Sequence, residues 1–209
     1  MRITKDPKVR RNELIVAAET LFKEKGCEQT SISDIVKKVG VAQGTFYYYF
    51  ESKDAVLDAV LDHYLMYRLE PAAKRIMEDD SLAALQKLQL VINTSLTMYS
   101  GERNLIEFLH SDENFVSHQK YMLKIRQTFV PLITKIVEKG IEEGVFNLKY
   151  TAETVELMLV MFIHLHDSIA MSGQVEEYGR KVRAAEAISA KVLGIEEGGI
   201  NLCPNKKEF

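Results

Sequence analysis

Thr30-Ser31-Ile32-Ser33-Asp34-Ile35-Val36-Lys37-Lys38-Val39-Gly40-Val41-Ala42-Gln43-Gly44-Thr45-Phe46-Tyr47-Tyr48-Tyr49-Phe50 contains two short helical patterns on either side of a tight turn. Ser31 followed three residues later by Asp34 is a variant of the capping box, which predicts a helix of about two turns ended by Gly40. Gly40-Val41-Ala42 then turns the chain into a second short helix, Gln43 to Phe50. Two short helices joined by a three-residue turn containing Gly define a helix-turn-helix. Phe46 and Phe50, four apart, share the inward face, leaving Gln43, Thr45, Tyr47 and Tyr48 to project outward. Consecutive helical residues point about 100° apart, so Tyr47, Tyr48 and Tyr49 cannot all be buried; Tyr49 is the best core candidate of the three.

Outward from this stretch the helical pattern continues. Leu14, Ala17, Ala18, Leu21 and Phe22 form one stripe, predicting a helix from about Pro7 to Lys25 that Gly26 stops. Ser52 caps a fourth helix predicted to run to Glu70, where Pro71 breaks it. Longer helices are predicted at Ser81 to Tyr99, Glu102 to His110, Glu113 to Glu143 with a kink at Pro131, Thr151 to Met171, and Val175 to Leu193. No sustained period-2 alternation of the kind a half-buried strand needs occurs in the chain. The chain therefore reads as all-α, with a three-helix helix-turn-helix domain at 1–54 and a larger helical domain at 55–194, joined through the shared fourth helix. Residues 195–209 lack periodicity and read as a frayed tail.

Composition agrees with a folded chain: 46% of the 209 residues are hydrophobic, 27% are charged and four are proline, which excludes collagenous and disordered classes. The longest apolar run, Leu157 to Leu165 broken only by His164, is far short of the roughly 20 residues that cross a bilayer. The start, Met-Arg-Ile-Thr-Lys-Asp-Pro, lacks the apolar segment of a secretory signal, so a cytoplasmic protein with no membrane partner is expected. Cys27 and Cys203, at opposite ends, read as reduced thiols. The net charge of −3 conceals an asymmetry, because residues 1–55 carry ten Lys/Arg against eight Asp/Glu and residues 56–209 seventeen against twenty-two. Arg2, Lys5, Lys8, Arg10 and Arg11 are opposed within residues 1–12 by Asp6 alone. A basic arm on an acidic body points to a polyanionic partner; the plainer alternative is a solvated tail.

Leu14-Ile15-Val16-Ala17-Ala18 through Leu21-Phe22, Lys25-Gly26, Thr30 to Ile35, Val39-Gly40-Val41, Gly44 to Phe50 and Ser52-Lys53-Asp54 resemble, in order and spacing, the TetR-like (TetR/AcrR) transcriptional regulators. The resemblance covers about the first 60 residues. Ala42 stands where the family often has a capping Ser, and Gln43 where it often has Lys. The resemblance implies a homodimer that binds a palindromic double-stranded DNA operator through residues 1–54. It also implies a small-molecule effector bound within 55–194, whose arrival tilts the fourth helix and releases a repressor from DNA.

The chemistry of the segment agrees with that implication. Gly44 allows the backbone close to a duplex, and the hydroxyls of Thr45, Tyr47 and Tyr48 and the Lys53 ammonium are standard phosphate partners. Gln43 is the exposed side chain able to bond bidentately to adenine, which makes it the expected base reader. Thr30 and Ser31 can cap the second helix, and the resemblance implies that they also reach phosphate. Met66, Met77, Met98, Met122, Met158, Met161 and Met171 all lie beyond residue 60, as polarizable filling for a core or an adaptable pocket. Tyr99, Phe108, Tyr121, Met158, Met161 and Phe162 are the expected effector contacts. Leu157 to Ile163 is apolar all round and requires cover on every side, from a partner subunit or a deep interior position.

Other chemistry finds little support. Glu107-x-x-His110 has the spacing of a carboxylate-bridged di-iron bundle but no second copy, and His164 and His166 lie on roughly opposite helix faces. Either could join His110, Glu107 or His118 in a small site, against the ordinary reading of packed histidines. No phosphate loop, nucleophile elbow or Cys/His pairing is present, so no catalytic residue, metal or cofactor is expected. The rival readings are a constitutive helix-turn-helix DNA-binding protein without a ligand and a metal-binding helical protein.

Overall fold

The computed structural model describes residues 6–98, 114–172 and 175–202, which are helical and contain no strand. The chain divides into two compact units, Met1–Arg68 with Glu102–Met122, and Leu69–Gly101 with Leu123–Phe209.

The first unit opens with α1 (Pro7–Lys25), whose N-cap Asp6 accepts a hydrogen bond from the Lys8 N–H at 2.7 Å. Its apolar stripe places Leu14, Ala18 and Phe22 in the core, and Gly26 ends it at φ 84°. The capping box read from Ser31 and Asp34 is present at the start of α2 (Ile32–Val39). Gly40 closes α2 in the left-handed conformation at φ 76°, which favours glycine over any residue with a Cβ, and the turn delivers the chain into α3 (Gln43–Tyr49). Ala42 leaves α3 without a side-chain cap, whereas Ser52 caps α4 (Lys53–Tyr64) by accepting from the Ala55 N–H. α1 packs against both α2 and α4, and α2 against α3.

The expected break at Pro71 is not where the helix changes. α4 passes into a π-helical segment, Leu65–Leu69, and the chain stays helical through α5 (Glu70–Glu78), with Pro71 in its first turn. Proline has no N–H to give to the preceding turn, and the helical ladder is irregular just ahead of it, in the wider π turn Leu65–Leu69.

In the second unit, α6 spans Ala84–Met98, starting three residues later than the sequence predicts. Asp79 and Ser81 form a hydrogen-bonded turn ahead of it, and the Gln86 and Glu143 side chains accept from the Ala83 and Ala84 N–H groups. Lys87 is buried with its ammonium on the Met77 carbonyl at 2.7 Å, which ties α6 to the end of α5. The longest helix, α7 (Phe115–Glu142), continues through Pro131. α8 (Thr151–Ser172) and α9 (Val175–Leu193) pack on each other. The helix predicted at Glu102 to His110 lies outside the described residues.

The frayed tail is corrected as far as residue 202. Ile200 and Leu202 are buried, Asn201 N–H donates to the Gln89 side chain at 2.7 Å, and Leu202 N–H donates to Glu186 at 2.8 Å. Two apolar anchors and two satisfied backbone donors hold a segment that has no periodicity of its own.

Candidate nucleic-acid interface

α3 is seven residues long and depends on its neighbours for stability, since an isolated helix of that length does not form in water. Phe46 and Phe50 supply the anchorage. Both are buried, their ring centroids 5.6 Å apart, and Phe46 also meets the edge of Tyr47 at 5.7 Å. The opposite face carries Gln43 and Gly44, both exposed, with Tyr47 52% and Tyr48 75% exposed. Thr45 and Tyr49 are half-buried, Tyr49 packing its ring against Tyr48 with centroids 4.8 Å apart. Two large aromatic phenols left in solvent beside a glutamine and a glycine form a surface suited to phosphate and base-edge contact. A Cβ built on Gly44 meets nothing within 4 Å, so the space above it is open for a close backbone approach.

Thr30 does not belong to this surface. It is 1% exposed, its hydroxyl donates to the Gly26 carbonyl at 2.7 Å, and its N–H donates to the Cys27 carbonyl at 3.1 Å. Both donors are engaged inside the turn between α1 and α2, so the phosphate role implied for Thr30 is replaced by a structural one. Ser31 is exposed, but its hydroxyl and its N–H both donate to the Asp34 carboxylate, at 2.8 and 2.9 Å. Lys25 reaches the same carboxylate at 2.7 Å, and with the two Ser31 donors it holds Asp34 well below the usual carboxylate range. Lys53 is half-buried, its ammonium on the Cys27 carbonyl at 3.0 Å.

An ionic cluster missed by the sequence reading joins α1 to the end of α4. Glu19 is 6% exposed; Lys23 and Arg68 each approach one carboxylate oxygen at 2.9 Å, and His63 Nδ1 lies 3.6 Å from the other. Glu19 to Lys23 has the i, i+4 spacing of a helical ion pair, which was visible in the sequence; Arg68 is brought in by the fold. Arg11, read from the sequence only as part of the basic arm, has its guanidinium over the Phe50 ring, 4.9 Å from its centroid.

The expected effector contacts are only partly brought together. Met158 and Phe162 line a small apolar cavity in the second unit with Leu88, Ile92, Val137 and Leu159. Met161 is half-buried and outside that lining, Tyr121 is buried in the other unit, and Tyr99 and Phe108 lie outside the described residues. The cavity is about 10 Å³, room for one water. Beside it, α8 leaves Leu157 (71% exposed) and Val160, three apart, in solvent, and α9 leaves Ile188 and Val192, four apart. Among the described residues no three His, Cys, Asp or Glu side chains gather to hold a metal, and no helix is long and apolar enough to cross a membrane.

Two family models match the chain: the bacterial regulatory proteins of the tetR family over residues 14–60, and the tetracyclin repressor-like C-terminal domain over residues 97–188. The HTH-type transcriptional regulator YvdT of Bacillus subtilis is 32% identical over 148 residues, 68% of this chain and 75% of that one. The HTH-type transcriptional repressor KstR2 of Rhodococcus jostii is 30% identical over 147 residues, 66% of this chain and 68% of that one. Among solved structures, the transcriptional regulator FadR from Bacillus subtilis, in complex with stearoyl-CoA, superposes with a TM-score of 0.62 at 24% identity, covering 88% of this chain and 99% of that one. With the helix-turn-helix, the exposed face of α3 and these matches in agreement, the chain belongs to the TetR family of transcriptional regulators.

Proposed function

We propose that this regulator is a homodimeric repressor that docks α3 of each subunit in successive major grooves of a palindromic operator and leaves it when an apolar or amphipathic small molecule binds the second unit. The observation that carries the reading is the two-sidedness of α3: Phe46 and Phe50 anchor it while Gln43, Gly44, Tyr47 and Tyr48 face solvent together. Gln43 reads a base edge; Thr45, Tyr47 and Tyr48 hold phosphates and set register. Ser31 stays at the rim, its donors on Asp34.

A dimer presents its two recognition helices about 34–36 Å apart, so it needs a fixed subunit interface. The solvent-facing Leu157, Val160, Ile188 and Val192 supply the apolar surface for one, as a four-helix arrangement with the partner's copies. The effector site grows from the cavity at Met158 and Phe162, whose apolar lining must part to admit more than a water. A repressor among the relatives and a protein of this fold that holds stearoyl-CoA support release by an amphipathic molecule.

Fluorescence anisotropy on duplexes from the chain's own upstream region, with and without candidate effectors, tests the reading. Specific binding that an effector weakens is the expected result. Binding that no effector alters favours the constitutive alternative, and absence of DNA binding removes the proposal. In the same assay Gln43→Ala is expected to relax discrimination at one or two base pairs by about 1–3 kcal/mol.

A further inference from the structure

The basic arm seen in the sequence has no role in the contacts described so far, and its described part leads to one residue. Of the eight described cations of the helix-turn-helix, five are engaged: Arg10 with Glu13, Lys23 with Glu19, Lys25 with Asp34, Lys38 with Glu24, and Lys53 with the Cys27 carbonyl through one of its N–H groups, while Lys8 and Lys37 are simply exposed. Arg11 has no ion-pair partner among the described residues, yet it is held in place by the Phe50 ring beneath its guanidinium. Phe50 is the residue that closes α3, so Arg11 is carried from the second turn of α1 to the C-terminal end of the recognition helix.

We infer that Arg11 is a phosphate contact for double-stranded DNA, pre-positioned on Phe50 at the edge of the α3 face. A guanidinium held over an aromatic ring by cation–π attraction spends none of its N–H groups on an acceptor. Those donors match two oxygens of one phosphate, and the contact with the ring removes part of the rotamer entropy that a solvated arginine loses on binding. The inference rests on the DNA-binding reading above and adds to it a residue on a different helix.

The test compares the wild-type chain with Arg11→Ala and Arg11→Lys on two 30-base-pair duplexes, one selected by the wild type from a random pool and one of scrambled sequence, across a salt series. Arg11→Ala is expected to weaken both duplexes by the same factor and to flatten the salt slope by about one unit, while Arg11→Lys keeps the slope. Thermal melting of both variants reports the packing on Phe50 separately. A wild-type salt slope in folded Arg11→Ala overturns the inference alone, and so does a loss confined to the selected duplex, which would mark base reading instead. A wild-type chain that selects no duplex overturns the DNA-binding reading with it.

Discussion

Lys53 donates its ammonium to the Cys27 carbonyl at 3.0 Å, tying the first residue of α4 to the turn that follows α1. This bond joins two parts of the helix-turn-helix that are 26 residues apart in sequence. An ammonium carries three N–H groups, so the bond to Cys27 and a phosphate contact are compatible. Lys53→Ala is therefore expected to show two effects together, a loss of about 1 kcal/mol in urea unfolding and a uniformly weaker, less salt-dependent affinity for DNA. A changed stability with an unchanged salt slope would confine Lys53 to bracing the turn.

Cys27 itself is buried beneath that bond, and burial pushes its thiol up to about 12, with Lys53 opposing and Asp54 and Glu28 adding to the shift. A raised folded value means stability that is fully present below the unfolded thiol's pKa, near 9.0, and lost as pH rises through that of the folded state. The wild-type chain should thus lose more stability between pH 8 and 10.5 than Cys27→Ala does, measured by urea unfolding. In a Cys203→Ser background, the native thiol should react with a disulfide reagent only as fast as the protein opens.

Gly140 lies in α7 where a Cβ would fall within the Phe146 ring, and 3.1 Å from the Ala84 Cβ. Alanine has the better helix propensity by about 1 kcal/mol, but the Phe146 ring it would meet is buried at 3% exposure. Overpacking should win, and Gly140→Ala is expected to destabilise the second unit by about 1–3 kcal/mol net in chemical unfolding. A stabilised variant would show that the Phe146 ring can give way.

The exposed residues of α8 and α9 make a fourth prediction. Leu157→Glu combined with Ile188→Glu places charge in the surface assigned to the subunit interface, and sedimentation equilibrium at low micromolar concentration should move from dimer to monomer while helicity stays unchanged. A dimer that persists would direct attention to another surface.

Much of the first unit was legible in the sequence because its signals are local. Ser31, Ser52, Gly26 and Gly40 are caps whose chemistry acts within a few residues, and the Phe46–Phe50 spacing alone separates the two faces of α3. What escaped depends on how the chain folds back on itself, over a tight turn or from far away in sequence. Thr30 carries a hydroxyl suited to phosphate until the fold surrounds it with the Gly26 and Leu21 carbonyls. Ile200 and Leu202 lack periodicity because they dock as single anchors, and Arg68 acquires meaning only when the helix brings it back to Glu19. Of the residues lining the small cavity, Met158 and Phe162 were singled out by composition, whereas Leu88, Ile92 and Val137 are ordinary core residues whose convergence no spacing reveals.

The π segment also changes how the long helix should be read along its axis. An α-helix turns about 100° per residue, so positions five apart differ by about 140°; yet Tyr64 and Leu69, five apart across the segment, are both buried. One residue is absorbed within the segment without advancing the side-chain pattern, as in a single-turn π-bulge. Removing one residue from Leu65–Leu69 would restore regular α-helical hydrogen bonding there and change which of the segment's own side chains fall on one face.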